Sequence, residues 1–216
     1  MKQLVFALIL TFAAMATAFA QPVLQWDKRF NGPIANDEGK AITVDVSGNV
    51  YIAGSSDGPT GGSDFLTIKY NSDGNLLWSQ RYNGAANGQD SVRAIRVDAL
   101  GNVYITGKSQ GSGTNINIVT IKYDSTGVQQ WASVYNGTAG SNGGYNLEVD
   151  VFGNVYVIGF ANPYNVLIKY NGLGVLQWSK NLMNSYNNQN ETFFAISPFD
   201  GHLIVADGGS LTSQYT

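Results

Sequence analysis

The residues able to carry polar chemistry are few, and their spacing decides most of what they can do. Cysteine is absent and histidine occurs once, at position 202. Thiolate metal sites, disulfides, cysteine nucleophiles and sites needing two imidazoles are thereby excluded. His202 stands in the Asn slot of a turn, with no nucleophile motif beside it, and reads as a turn residue. Asn71-Ser72-Asp73-Gly74-Asn75 has the composition of a calcium loop but lacks the alternating Asp register and the bidentate Glu at its end. In later copies Asp73 becomes Thr126 and Leu173, so turn chemistry explains it. No metal and no cofactor are expected. What remains is a set of tyrosines, Tyr145, Tyr164 and Tyr186, in connections rich in Gly, Asn and Ser. An aromatic face with a polar tip at low charge suits a neutral polar ligand, a glycan or a peptide. The competing readings are a polysaccharide lyase or hydrolase and a purely structural spacer. An enzyme needs ionisable residues converging in one cleft, and Asp37, Glu38, Asp57, Asp64, Asp90 and Glu191 are scattered over different units.

The elements that position these residues repeat. Trp recurs at 26, 78, 131 and 178, and Gly-Asn-Val-Tyr begins at 48, 101 and 153, with Gly201-His202-Leu203-Ile204 as a looser fourth copy. Ile-Lys-Tyr recurs at 68–70, 121–123 and 168–170. Fixed order at a period near fifty residues marks a repeat architecture. Each unit holds four short runs rich in Val, Ile, Tyr and Phe, bounded by Gly, Asn, Asp or Ser and without helical periodicity. In the first unit these strands, a to d, fall at 42–45, 50–54, 65–70 and 76–82. Gly48, Gly101, Gly153 and Gly201 supply the a–b turns, where Asp45 and its copies accept turn N–H groups. Four antiparallel strands per unit predict an all-β propeller of about four visible blades, over units 41–82, 94–135, 146–182 and 193–216 plus 24–30. The order d, then three full units, then a, b and c leaves two arrangements open. Either 24–30 pairs with the last unit and closes a ring, removing a free sheet edge, or the chain is part of a larger propeller.

Trp26, Trp78, Trp131 and Trp178 keep the period, so they read as packing between blades rather than as sugar platforms. Lys69, Lys122 and Lys169 read as snorkelling strand residues. The b–c connections (55–64, 108–117, 160–165) and d–a connections (83–93, 136–145, 184–192) vary, and strand parity puts both on one face. Variable loops on a rigid scaffold are the expected binding face.

Gly-Asn-Val-Tyr-Ile-Ala-Gly at 48–54, Ile-Lys-Tyr-Asn-Ser-Asp-Gly-Asn-Leu-Leu-Trp at 68–78 and Arg-Tyr-Asn-Gly at 81–84 resemble the bacterial SBBP-type β-propeller repeat. The resemblance covers nearly all of 23–216 and implies an exported or surface β-propeller, often part of a longer chain of six or seven blades. It implies no catalytic residues. The Trp-bearing repeat also resembles quinoprotein dehydrogenases, but the charges here sit in repeated strands and turns rather than converging on a quinone site.

Composition and the first residues set the compartment. The 216 residues carry 12 Lys+Arg against 15 Asp+Glu, a net charge of −3 with no basic run, which argues against a nucleic-acid partner. Lys2, an apolar run over 4–10 and Ala18-Phe19-Ala20 have the layout of a cleaved secretory leader over 1–20. The run is short for a bilayer about 30 Å thick, and no second one follows. The domain at 21–216 is therefore expected in the periplasm, at the cell surface or secreted, without a membrane span. Asn136-Gly137-Thr138 and Asn190-Glu191-Thr192 are sequons that matter only in a glycosylating host.

Overall fold

The computed structural model describes residues 24–32, 36–59, 61–113, 115–137, 140–182, 192–196, 203–207 and 210–215. Residues 1–20, where a leader is expected, and Tyr186, Gly201 and His202 lie outside them. The described residues contain fifteen strands and no helix. The first blade is β1 (Asp37–Val44), β2 (Val50–Asp57), β3 (Ser63–Tyr70) and β4 (Leu76–Tyr82). The second is β5 (Asp90–Val97), β6 (Val103–Gln110), β7 (Ile116–Tyr123) and β8 (Gln129–Tyr135). The third is β9 (Asn142–Val149), β10 (Val155–Ala161), β11 (Tyr164–Tyr170) and β12 (Leu176–Leu182). A three-stranded sheet follows, β13 (Thr192–Ile196), β14 (Leu203–Asp207) and β15 (Ser210–Tyr215). Every sheet is an antiparallel meander in sequence order. The propeller-blade architecture anticipated from the repeats is therefore present.

The turns that make each meander are self-sufficient. Asp45 Oδ1 accepts the N–H groups of Ser47 and Asn49, each at 2.9 Å, while Oδ2 accepts Asn49 Nδ2 and the Tyr51 hydroxyl, each at 2.8 Å. Gly48 takes φ 78°, the left-handed region glycine enters without a Cβ penalty. Asp98 and Asp150 repeat the arrangement with Asn102, Tyr104, Asn154 and Tyr156. The Asp-x-x-Gly-Asn-x-Tyr spacing is thus one hydrogen-bonded module. In the c–d turns Asn71, Asp124 and Asn171 do the same work, each accepting backbone N–H groups two and four residues on.

The core lies between blades. Tyr51, Ala53 and Phe65 of the first blade pack with Val92, Ile95, Ile105 and Ile121 of the second. Ala94, Tyr104 and Ile118 of the second pack with Leu147, Val157, Val166 and Ile168 of the third. Central strands are covered on both faces, so they read as near-continuous apolar runs. The tryptophans sit across these junctions. Trp78 Nε1 donates to Ser125 O at 3.2 Å and Trp131 Nε1 to Gly172 O at 3.1 Å, each in the next blade. Trp26 Nε1 donates likewise to Ser72 O at 3.0 Å, and with Phe30 it covers Leu66, Ile68 and Tyr70.

Three expectations change. First, the pairing of 24–30 with the last unit is not formed. Residues 24–32 are not a strand, the last sheet keeps three strands, and the sheets do not close into a ring. The first blade shows the consequence. Ile42 is 66% exposed, while Ile95 and Leu147 at the same station of the next blades are 1% and 0% exposed, because each of those has a preceding blade against it. Second, Lys69 does not snorkel, whereas Lys122 and Lys169 stay half-buried. Lys69 is buried, its Nζ lies 5.0 Å from the Tyr51 ring centroid and donates to Ser125 O. Lys122 and Lys169 stand over Tyr104 and Tyr156 in the same cross-strand register. Third, strands a, b and c run further than the apolar runs suggest, so the b–c connections shrink to 58–62, 111–115 and 162–163. Paired backbone, rather than hydrophobicity, extends them.

Candidate functional site

The third change moves the candidate tyrosines. Tyr145 lies within β9 and Tyr164 opens β11 opposite Ala161, both in strands rather than loops. Tyr164 is exposed and Tyr145 half-buried; no described contact brings them together.

Tyr145 owes its position to a backbone irregularity that recurs. In each of the first three blades the a strand carries a bulge, so that one residue has no partner on the b strand. The bulged residues are Lys40, Arg93 and Tyr145. A bulge bends the strand and re-aims the extra side chain. Opposite each stands a glycine, Gly54, Gly107 or Gly159. A Cβ on Gly107 would fall 2.1 Å from the Ser91 carbonyl oxygen, and on Gly54 2.0 Å from that of Glu38. Only glycine fits there. In the last sheet Asp207 holds this station, and β13 pairs with β14 without a shift. The last glycine of Gly-Asn-Val-Tyr-Ile-Ala-Gly was therefore the sequence signal for the bulge, and Arg93 and Lys108 are the residues that sequence reasoning did not single out.

Arg93, Lys108, Asn142, Gly143, Tyr145 and Phe160 line a crevice of about 60 Å³ between the second and third blades. A Cβ on Gly143 would stand 3.5 Å from Lys108 Cβ and 3.9 Å from Tyr145 Cε1, so both side chains flank one bare point of β9. Burial pushes the Tyr145 phenol up to about 12, against the pull of the Arg93 guanidinium, and keeps it a neutral hydrogen-bonding group at physiological pH. Arg93 is exposed, and neither it nor Lys108 forms an ion pair among the described residues.

Beside it on the strand start, Asp90 is fully buried and accepts Gly84 N–H at 2.7 Å and Gln110 N–H at 3.2 Å. Burial raises its pKa, and the hydrogen bonds from Ser109, Gly84 and Gln110 only partly oppose that. It clasps the d–a connection to the blade, as Asp37 does through Gly32 N–H at 2.7 Å.

Two larger clefts, about 450 and 540 Å³, open at the opposite end, one at each blade junction. Their carboxylates, Asp45, Asp98 and Asp150, are spent on the turn modules, and Arg96 is spent on Glu148 at 2.7 Å across the junction. They recur because the turns recur. Among the described residues no three His, Cys, Asp or Glu side chains are grouped to hold a metal, and no helix is long and apolar enough to cross a membrane.

Among solved structures, a protein of unknown function from Bacteroides caccae is similar over 80% of this chain at 15% identity and a TM-score of 0.50. A glucose dehydrogenase is similar over 83% at 13% identity and a TM-score of 0.47, and a fucose lectin from Kordia zhangzhouensis, in complex with methyl-fucoside, over 67% at 14% and 0.38. The chain spans 54% and 60% of the length of the first two and 98% of the third. The first of these likenesses concerns the fold alone. No curated protein matches. The family model described as Beta-propeller repeat, SBBP, matches residues 25–59 and 77–113. Over those residues, which lie in the first two blades and the segment before them, the four-strand meanders carry SBBP beta-propeller repeats.

Proposed function

We propose that this chain is an exported, non-enzymatic binding module that takes a polar ligand at the end of the blades where the b–c and d–a connections lie. The observation that carries this reading is the bulge station. The backbone there is held constant over three blades at the cost of an obligate glycine opposite, while the side chain it aims changes from Lys40 to Arg93 to Tyr145. Residues that build a repeat keep its period; residues that meet a ligand depart from it. A fixed scaffold presenting a varied side chain is the arrangement of a binding surface. The leader layout of residues 1–20 supports export.

The test is a binding survey of the full chain, freed of its leader, on arrays of polysaccharides and peptides. Binding that falls at least about tenfold in Tyr145→Ala, a loss of about 1.4 kcal/mol, is the expected result. A survey with no binding, or binding untouched by changes at Arg93 and Tyr145, would sink the proposal.

A further inference from the structure

The crevice beside Tyr145 differs from its counterpart at the neighbouring junction in charge, and the difference follows station by station. In the first blade the bulged Lys40 is ion-paired with Glu38, two residues before it on the same strand. At the Glu38 station the second blade has Ser91 and the third Gly143, so the bulged Arg93 has no carboxylate at that station, and Asp90 at the start of its strand is buried and holds the Gly84 and Gln110 N–H groups. At the strand start, where Asp37 and Asp90 stand, the third blade has Asn142, and it is Asn142 that lines the crevice. After the bulge glycine the first and third blades have Ser55 and Phe160, and only the second has a cation, Lys108. Two cations are thus gathered with no carboxylate lining the crevice among the described residues, on a chain whose net charge is −3.

Resting on the binding reading above, we infer that this crevice is a subsite for the carboxylate of an acidic polysaccharide, held by Arg93 and Lys108, with the ring of Tyr145 against the sugar that bears it. A volume of about 60 Å³ admits a single charged group rather than a whole sugar. The rest of the residue would lie over the ring of Tyr145, next to the point at Gly143 that Lys108 and Tyr145 flank. A guanidinium presents paired donors to a carboxylate, which is the geometry this group recognises best. An extended chain of repeating sugars supplies the ring face that an acidic peptide lacks.

The experiment compares polygalacturonate with its fully methyl-esterified form by titration calorimetry on the full chain, freed of its leader. Polygalacturonate should bind, with esterification and Arg93→Gln each weakening it at least tenfold, Arg93→Lys restoring part of it, and added salt weakening it. Arg29→Gln, an exposed cation elsewhere removed for the same change in charge, should leave it unchanged. Thermal melts of each variant confirm that it is folded. Equal binding of the esterified polymer, equal effects of Arg93→Gln and Arg29→Gln, or binding of neutral polymers or acidic peptides only, overturns the carboxylate subsite while the binding module stands. No binding by any polysaccharide or peptide overturns both.

Discussion

The indole of Trp78 rests on the backbone of Gly127 in the next blade so closely that a Cβ there would lie 2.8 Å from the ring. The same contact joins Trp26 to Gly74 and Trp131 to Gly174. One glycine therefore serves two purposes, since Gly127 also holds φ 90° in the turn between β7 and β8.

These purposes separate experimentally. Gly153 shares the positive φ, 79°, but a Cβ there meets nothing within 4 Å. Gly153→Ala should cost about 1 kcal/mol from backbone strain alone. Gly127→Ala should cost more, about 2–4 kcal/mol, because the indole must also shift. Urea denaturation of the two variants measures the difference, and equal costs would mean that the Trp78 contact contributes little.

Most of the blade was legible in sequence because its determinants are local. Asp45, Gly48, Asn49 and Tyr51 close a turn with bonds no more than six residues apart, so their spacing carries the whole of that structure. The bulge was not read, because its cause is a steric relation between strands, Gly107 against the Ser91 carbonyl, which appears in sequence only as one more glycine. The same holds for Lys69. Its cover comes from the next blade, so nothing local distinguishes it from a snorkelling lysine.

Gly107→Ala tests the bulge directly. With the alanine Cβ 2.1 Å from a carbonyl oxygen, the strand pair must part or re-register. A loss of about 2–4 kcal/mol in denaturant unfolding is expected. Binding through Arg93 should also fall in the folded fraction, since the bulge no longer aims that side chain.

Two carboxylates should respond to pH with opposite sign. Burial alone would raise Asp45, but the hydrogen bonds from Asn49, Tyr51 and Ser47 outweigh it and hold the carboxyl below its ordinary value. Its contribution to stability is complete above the ordinary carboxylate range and is lost as pH falls through the depressed value. Asp90 is held above its ordinary value by burial, so its unfolded form ionises first. Its contribution is complete below the ordinary range and is lost as pH rises towards the elevated value. Unfolding free energies of the wild type minus Asp90→Asn should therefore fall between about pH 3 and about pH 7, while the difference against Asp45→Asn should rise. Two differences of the same slope would refute the assignment.

The open flank of the first blade gives the last comparison. Ile42 and Ile95 occupy one station, with the same residue type on the same strand, and differ only in whether a blade covers them. Ile95→Ala removes buried methyl groups between two blades and should cost about 2–4 kcal/mol. Ile42→Ala, at 66% exposure, should cost under about 0.5 kcal/mol. Thermal melts read out both. A large cost at Ile42 would mean that something covers the first blade in solution, either the last sheet completing a ring or a second copy. A dependence of the melting temperature on protein concentration distinguishes the second copy, because only association between chains obeys mass action.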